Sequence, residues 1–203
     1  MTPLVKICGI TNLEDALVCA SAGADMLGFI FYSKSPRCIE PSKAAGIIKH
    51  LPASVTPVGV FVNEKSDVIK GIVHETHLGC VQLSGDETPA DCEGMPVPVW
   101  KAFRLRAVDD VTNIRDYKID AVMLDGANDT EYGGSGILPD MSVANEMKKY
   151  HRIIIAGGLH PGNIADLVRQ VNPYAVDVNS GVELTPGKKD RSKVQQLFQR
   201  LKG

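Results

Sequence analysis

The sequence carries almost no net charge. Its 22 Lys and Arg stand against 24 Asp and Glu, a formal charge of −2 over 203 residues. That balance gives no sequence-independent pull toward nucleic acid or an anionic lipid surface, so neither is an expected partner. Nor does any apolar run approach the ~20 residues of a membrane-spanning helix. The opening MTPLVKICGI has no basic stretch leading into an apolar core, so a cytoplasmic location is expected. The five cysteines (Cys8, Cys19, Cys38, Cys80, Cys92) are odd in number and never in C-x-x-C spacing, which argues against a disulfide framework and a structural zinc site. H-E-T-H at 74–77 misses the i, i+4 spacing of a zinc helix, and its histidines read as solvated. Low-complexity tracts, linkers and composition shifts are also missing. One domain over 1–203 is expected, long enough to bury a sizeable core.

What the chain does have is alternation. Apolar, β-branched runs at 5–10, 26–31, 58–62, 80–83, 97–103, 121–124, 153–156 and 175–178 read as strands buried on both faces. Stripes at helical spacing lie between them: Leu13, Ala16, Leu17 and Ala20, then Ala44, Ile47, Ile48 and Leu51, then Val68, Ile69, Ile72 and Val73. Ile164, Leu167, Val168 and Val171 form another, and Val194, Leu197 and Leu201 the last. Asn12, Ser42 and Pro161 are read as helix starts, Gly23 and Gly79 as helix ends. The fourth and fifth helices carry the weakest signals. Around 88–98, Pro89, Pro96 and Pro98 leave little more than a loop.

Eight strand–helix repeats fit a closed (β/α)8 barrel or an open doubly wound sheet. The open sheet places a G-x-G-x-x-G turn after its first strand, where this chain has C-G-I-T-N. The glycine-rich turns follow strands six, seven and eight instead, where a barrel binds phosphate. The expected fold is therefore an α/β, single-domain (β/α)8 TIM barrel, with its chemistry at the C-terminal strand ends.

Each of those ends offers candidates. Cys8 and Lys6 share a face of the first strand, and a thiol over a barrel mouth can act as nucleophile or base when its pKa is lowered. Arg37, stiffened by Pro36, offers a fork for a carboxylate or phosphate. Gln82 and Ser84 alternate to one side. Asp125 follows three apolar residues, a setting that raises a carboxyl pKa toward general-acid use. Gly134 and Ser135, Gly157 and Gly158, and Ser180 and Gly181 offer backbone N–H groups to a phosphate. Asp177 can orient a hydroxyl. Each also has an ordinary reading, as buried thiol, solvated Arg, rim filling, cap or plain loop. His160 reads as a loop cap, Lys188 to Arg191 as a solvated loop, and Trp100 and Phe103 as packing.

In order, the motifs are V-K-I-C-G-I-T (5–11), G-F-I-F-Y-x-K-S-P-R (28–37), V-G-V-F-V-N (58–63), V-Q-L-x-G-D-E (81–87), M-L-D (123–125), G-G-S-G (133–136), A-G-G-L-x-P-x-N (156–163) and V-D-V-N-S-G-V-E-x-x-P-G-K-K-D (176–190). Over nearly the whole chain they resemble the phosphoribosylanthranilate isomerase family of tryptophan biosynthesis. The resemblance implies an Amadori rearrangement of N-(5-phosphoribosyl)anthranilate to 1-(2-carboxyphenylamino)-1-deoxyribulose 5-phosphate. It implies Asp125 as general acid on the ring oxygen and Cys8 as general base on C2′, with the thiol pKa pushed down and the carboxyl pushed up. Arg37 would meet the anthranilate carboxylate and the three glycine-rich turns the phosphate, while Gln82 and Asp177 stand, from their strand-end positions, as further substrate-binding candidates. No cofactor or metal is implied, and the partner is a small phosphosugar. The chain is expected to stand alone, as a monomer or homodimer. Two positions depart from the family: Ser84 where His is common, and Ile137-Leu138 where F-D-W often follows the glycine-rich turn. A metal-dependent epimerase would need strand-end histidines, which are missing here. A non-catalytic or altered-specificity phosphosugar-binding barrel is the remaining alternative.

Overall fold

The computed structural model describes residues 2–105, 114, 117–126, 138 and 140–202. Eight parallel strands form a closed barrel in chain order: β1 (Leu4–Ile7), β2 (Met26–Ile30), β3 (Thr56–Phe61), β4 (Cys80–Leu83), β5 (Val99–Phe103), β6 (Ala121–Leu124), β7 (Ile153–Ile155) and β8 (Ala175–Val178). β8 returns to pair with β1, setting Lys6 opposite Asp177. Alternation gives each strand two buried faces. Met26, Val58, Trp100, Met123 and Ile154 fill the interior. Ile7, Leu27, Phe29, Val122, Ile155 and Val176 point outward, into the layer shared with the helices.

The helices are α1 (Leu13–Ala22), α2 (Pro41–Ile48), α3 (Ser66–Thr76), α4 (Met141–Met147), α5 (Ile164–Val171) and α6 (Arg191–Lys202). None among the described residues is long and apolar enough to cross a membrane. Asn12 caps α1, its side chain accepting from the Asp15 N–H, and Gly23 ends that helix in the left-handed region.

Other boundaries differ from the sequence reading. Glu40 rather than Ser42 is the N-cap of α2, because Pro41 already occupies the first helical position. Pro161 lies in a turn, and α5 starts only at Ile164, after Asn163. His77, not Gly79, takes the left-handed position after α3. Gly79 has a packing reason instead, since a Cβ there would stand 2.9 Å from the Thr56 methyl. The 88–98 stretch holds only a 3-10 turn at Ala90–Cys92. The expected fifth helix falls mainly outside the described residues.

Lys188 to Arg191 is not a solvated loop. β9 (Glu183–Thr185) and β10 (Lys188–Lys189) form an antiparallel pair. Lys188 reaches Asp15 at 2.8 Å, while Lys189 is buried against Glu183 at 2.9 Å. Asp190 accepts from the N–H groups of Ser192 and Lys193 at the start of α6.

Candidate active site

The C-terminal strand ends surround one cleft of about 930 Å³, counted out to its open mouth. Cys8, Arg37, Gln82, Ser84, Asp125, Gly157, Gly158, Asp177 and Ser180 all line it, although they come from six of the eight strand–loop units. Gly134, Ser135 and Ile137 lie outside the described residues. Gly181 sits behind the wall. A Cβ there would fall 1.9 Å from the Leu159 carbonyl oxygen, so the turns after β7 and β8 pack directly on each other at this residue.

Cys8 continues the inward face of β1, next to Ile30 and Val60. Gly28 on β2 makes the room: a side chain there would begin 2.7 Å from the Cys8 Sγ and 2.9 Å from the Lys6 Nζ. Lys6 is fully buried below the thiol and pairs with the Asp177 Oδ1 at 2.9 Å. The expected downward shift of the thiol is not what this setting produces. Burial pushes Cys8 up, and the opposing pull of Lys6 does not overcome it.

Arg37 already holds a carboxylate. Its Nε lies 3.0 and 3.1 Å from the two Glu183 oxygens, and its Nη2 lies 2.8 Å from Oε2. Glu183 also accepts from Lys189 and from the Gly187 N–H. Burial would raise the Glu183 carboxyl, but Arg37 and Lys189 outweigh it and hold it below its usual range. Gly9, at φ +74°, lets the backbone pass under this group: a Cβ there would meet the Asn179 Oδ1 at 2.7 Å and the Arg37 Cδ at 2.8 Å.

Gln82 donates from Nε2 to the Ser84 Oγ at 3.0 Å, and its buried Oε1 has no hydrogen-bond partner among the described residues. Asp125 follows β6 and is 9% exposed at the cleft wall. Gly157 and Gly158 both take left-handed conformations, and Asn163 pins the turn by donating to the Gly158 carbonyl at 2.9 Å. His160 braces the same turn, accepting from the Gly162 N–H at 3.0 Å. Trp100 packs inside the barrel, and Phe103 stands edge-on to Tyr117. His74 and His77 are exposed.

Tyr32, Ser35, Arg104 and Asn179 also line the cleft without having been singled out from the sequence. Strand alternation and the length of the β2 loop were the signals available for them, and neither separates a lining residue from a rim residue. No group of three or more His, Cys, Asp or Glu among the described residues could hold a metal ion.

Residues 5–200 match the family described as N-(5′phosphoribosyl)anthranilate (PRA) isomerase. An N-(5′-phosphoribosyl)anthranilate isomerase of Trichlorobacter lovleyi is 49% identical over 98% of this chain and 97% of its own. One from Geobacter sulfurreducens is 45% identical over 98% of each. The phosphoribosyl anthranilate isomerase structure from Thermotoga maritima superimposes with a TM-score of 0.91 at 38% identity, covering 99% of each chain. A solved isomerase of the same name, in complex with reduced 1-(o-carboxyphenylamino)-1-deoxyribulose 5-phosphate, gives 0.88 at 38% identity over 99% of each chain.

Proposed function

The chain belongs to the N-(5′-phosphoribosyl)anthranilate isomerase family and is an isomerase of tryptophan biosynthesis, and on that premise we propose that Cys8 and Asp125 carry its reaction as general base and general acid. The observation that carries this reading is their placement. One thiol and one carboxyl, from β1 and from the end of β6, line a single cleft that the turns after β7 and β8 also line.

Asp125 gives its proton to the furanose ring oxygen. The C1′–O bond breaks, and the nitrogen lone pair forms the C1′=N bond of an iminium. The Cys8 thiolate removes the C2′ proton, and the C–H electron pair forms the C1′=C2′ bond of an enolamine. The enolamine loses its hydroxyl proton and gains one at C1′, giving the ketone. Protons and electrons balance within the substrate and these two side chains, so the step calls for no redox cofactor.

The raised thiol fits this sequence of events. Burial raises the thiol, and the positive charge of the iminium beside Cys8 works the other way, favouring the thiolate that takes the C2′ proton. The phosphate is held by the N–H groups around Gly157, Gly158 and Ser180, with Gly181 as their brace, and the glycine-rich Gly134-Ser135 segment of the sequence is the third candidate for it. Arg37 meets the anthranilate carboxylate through Nη1, which makes no hydrogen bond among the described residues. Gln82 and Asp177 take the ribose and amine donors. A phosphosugar is the one partner this site needs. All its groups come from one chain, which suits a monomer or a homodimer, in the cytoplasm.

Loss of anthranilate-adduct fluorescence, followed with freshly made substrate, tests the assignment. We expect Cys8→Ala to lower kcat by about 10²-fold or more, the usual range for a removed general base. Asp125→Asn should lose kcat with KM little changed, as expected for a group acting in the transition state. Near wild-type kcat in either variant would remove that residue from its role.

A further inference from the structure

Lys6 is the most deeply buried charge near the cleft, and the mechanism above does not use it. The side chain has no exposure at all. A buried ion pair is a weak way to hold two strands together, since a well-packed apolar pair closes the same seam without desolvating two charges. Asp177 takes one of the three ammonium donors, at 2.9 Å. The space beside Gly28 is shared by the Lys6 Nζ and the Cys8 Sγ, and a side chain on β2 would separate them or displace both. Cys8 stands two residues beyond Lys6 on the same face of β1.

We propose that Lys6 is a positioning residue for catalysis: its ammonium, clamped by Asp177 across the β1–β8 seam, faces the Cys8 sulfur and favours its anionic form. The proposal rests on Cys8 being the base. It adds that the base has a built-in counter-ion, and that Asp177 controls how much of that charge reaches the sulfur.

The surroundings of Cys8 agree. The neighbouring strand β2 brings Gly28 beside the sulfur and Ile30 into the same cluster, and neither is charged. On the other side, β8 brings Asp177. Lys6 and, more weakly, Lys189 draw the thiol toward the thiolate, while burial and Asp177 oppose them. Tyr32, Arg37, Arg104 and Asp125 line the same cleft from the β2, β5 and β6 ends. They are unchanged in the variants below.

The test is the pH dependence of iodoacetamide alkylation at Cys8, read on the Cys8 peptide by mass spectrometry because exposed Cys38 also reacts. Wild type, Lys6→Met and Asp177→Asn are compared after near-UV circular dichroism confirms folding. In Lys6→Met the alkylation midpoint should rise by about one pH unit or more, the effect of removing an opposite charge at this range. Cys8 alkylation near neutral pH should slow about tenfold, and the acid limb of kcat/KM should move the same way. In Asp177→Asn the midpoint should fall, since the sulfur loses an anionic neighbour and keeps its cation. A lysine that only braced the seam would move neither midpoint, and unchanged midpoints overturn the proposal. If Lys6→Met does not fold, Asp177→Asn decides: a downward shift supports the proposal, and an unchanged or upward one overturns it. Retained turnover in Cys8→Ala would overturn the base assignment while leaving the alkylation shift intact, so the two failures are distinguishable.

Discussion

In the proposed reading, Arg37 combines two tasks in one planar group, a bond to Glu183 and a contact to substrate. Nε and Nη2 are committed to Glu183, which fixes the plane of the guanidinium, and Nη1 remains for the substrate while Arg37 lines the cleft. A lysine cannot divide its charge in this way, because an ammonium is a point charge on a flexible stem. Arg37→Lys should therefore raise KM by about 10-fold or more, the value of one charge-assisted hydrogen bond, with a smaller effect on kcat. Steady-state kinetics with varied substrate measures it, and an unchanged KM would detach Arg37 from the substrate. The arginine was legible in the sequence as a loop fork after a strand. Glu183, its anchor, was not, because it lies 146 residues away and meets Arg37 only once the barrel closes. Cys8 was legible for the same local reason as Arg37, its position at a strand end. The direction of its titration was not, because burial depends on Ile30 and Val60 from two other strands.

Among the elements, the turns after β7 and β8 pack directly on each other at Gly181. Gly181 has room for nothing beyond hydrogen on the side facing Leu159, and the clash there is with backbone, which cannot swing away as a side chain can. Gly181→Ala must push the two turns apart. We expect overpacking to cost about 1–3 kcal/mol of stability, and inorganic phosphate to inhibit the variant more weakly. Thermal unfolding and the phosphate inhibition constant measure the two effects, and a variant that kept both would show that the turns move independently. The strands themselves were readable because a parallel strand covered on both faces is simply a continuous apolar run. Helix ends were harder to read. Pro161 and Gly79 carry the right local chemistry, but the turn pinned by Asn163 delays α5, and the left-handed position fell to His77. The pair Lys188-Lys189 was misread for the same reason as Glu183 was missed: two adjacent lysines look solvated until Asp15 and Glu183 arrive from elsewhere in the chain.

At the scale of the whole molecule, Glu183 joins three segments. Its carboxylate ties the β2 loop through Arg37 and the β9–β10 pair through Lys189, and its backbone carbonyl accepts from Lys193 on α6 at 2.8 Å. The carboxyl titrates below its usual range in the folded protein: burial alone would raise it, and the two cations reverse that. A group depressed in this way adds stability that is fully present above its unfolded value, near pH 4.3, and is lost as pH falls through the lower folded value. Asp15 behaves alike. Burial opposes its ionisation, and hydrogen bonds from Lys188 and the Lys189 backbone overcome it. Acid should therefore loosen the barrel first where the C-terminal segment meets α1 and the β2 loop. Glu183→Gln removes the charge but keeps the shape, leaving buried Lys189 and half-buried Arg37 without their common anion. We expect about 3–5 kcal/mol less stability at pH 7, the cost of breaking a buried pair from one side. As pH falls below the unfolded value, near pH 4.3, the gap between variant and wild type should narrow, because the unfolded wild-type carboxyl then gains a proton that the folded one resists. Denaturant unfolding at pH 7 and pH 3.5 checks both. A stability gap of equal size at the two pH values would mean that Glu183 contributes by packing, and that the acid sensitivity of the fold has another source.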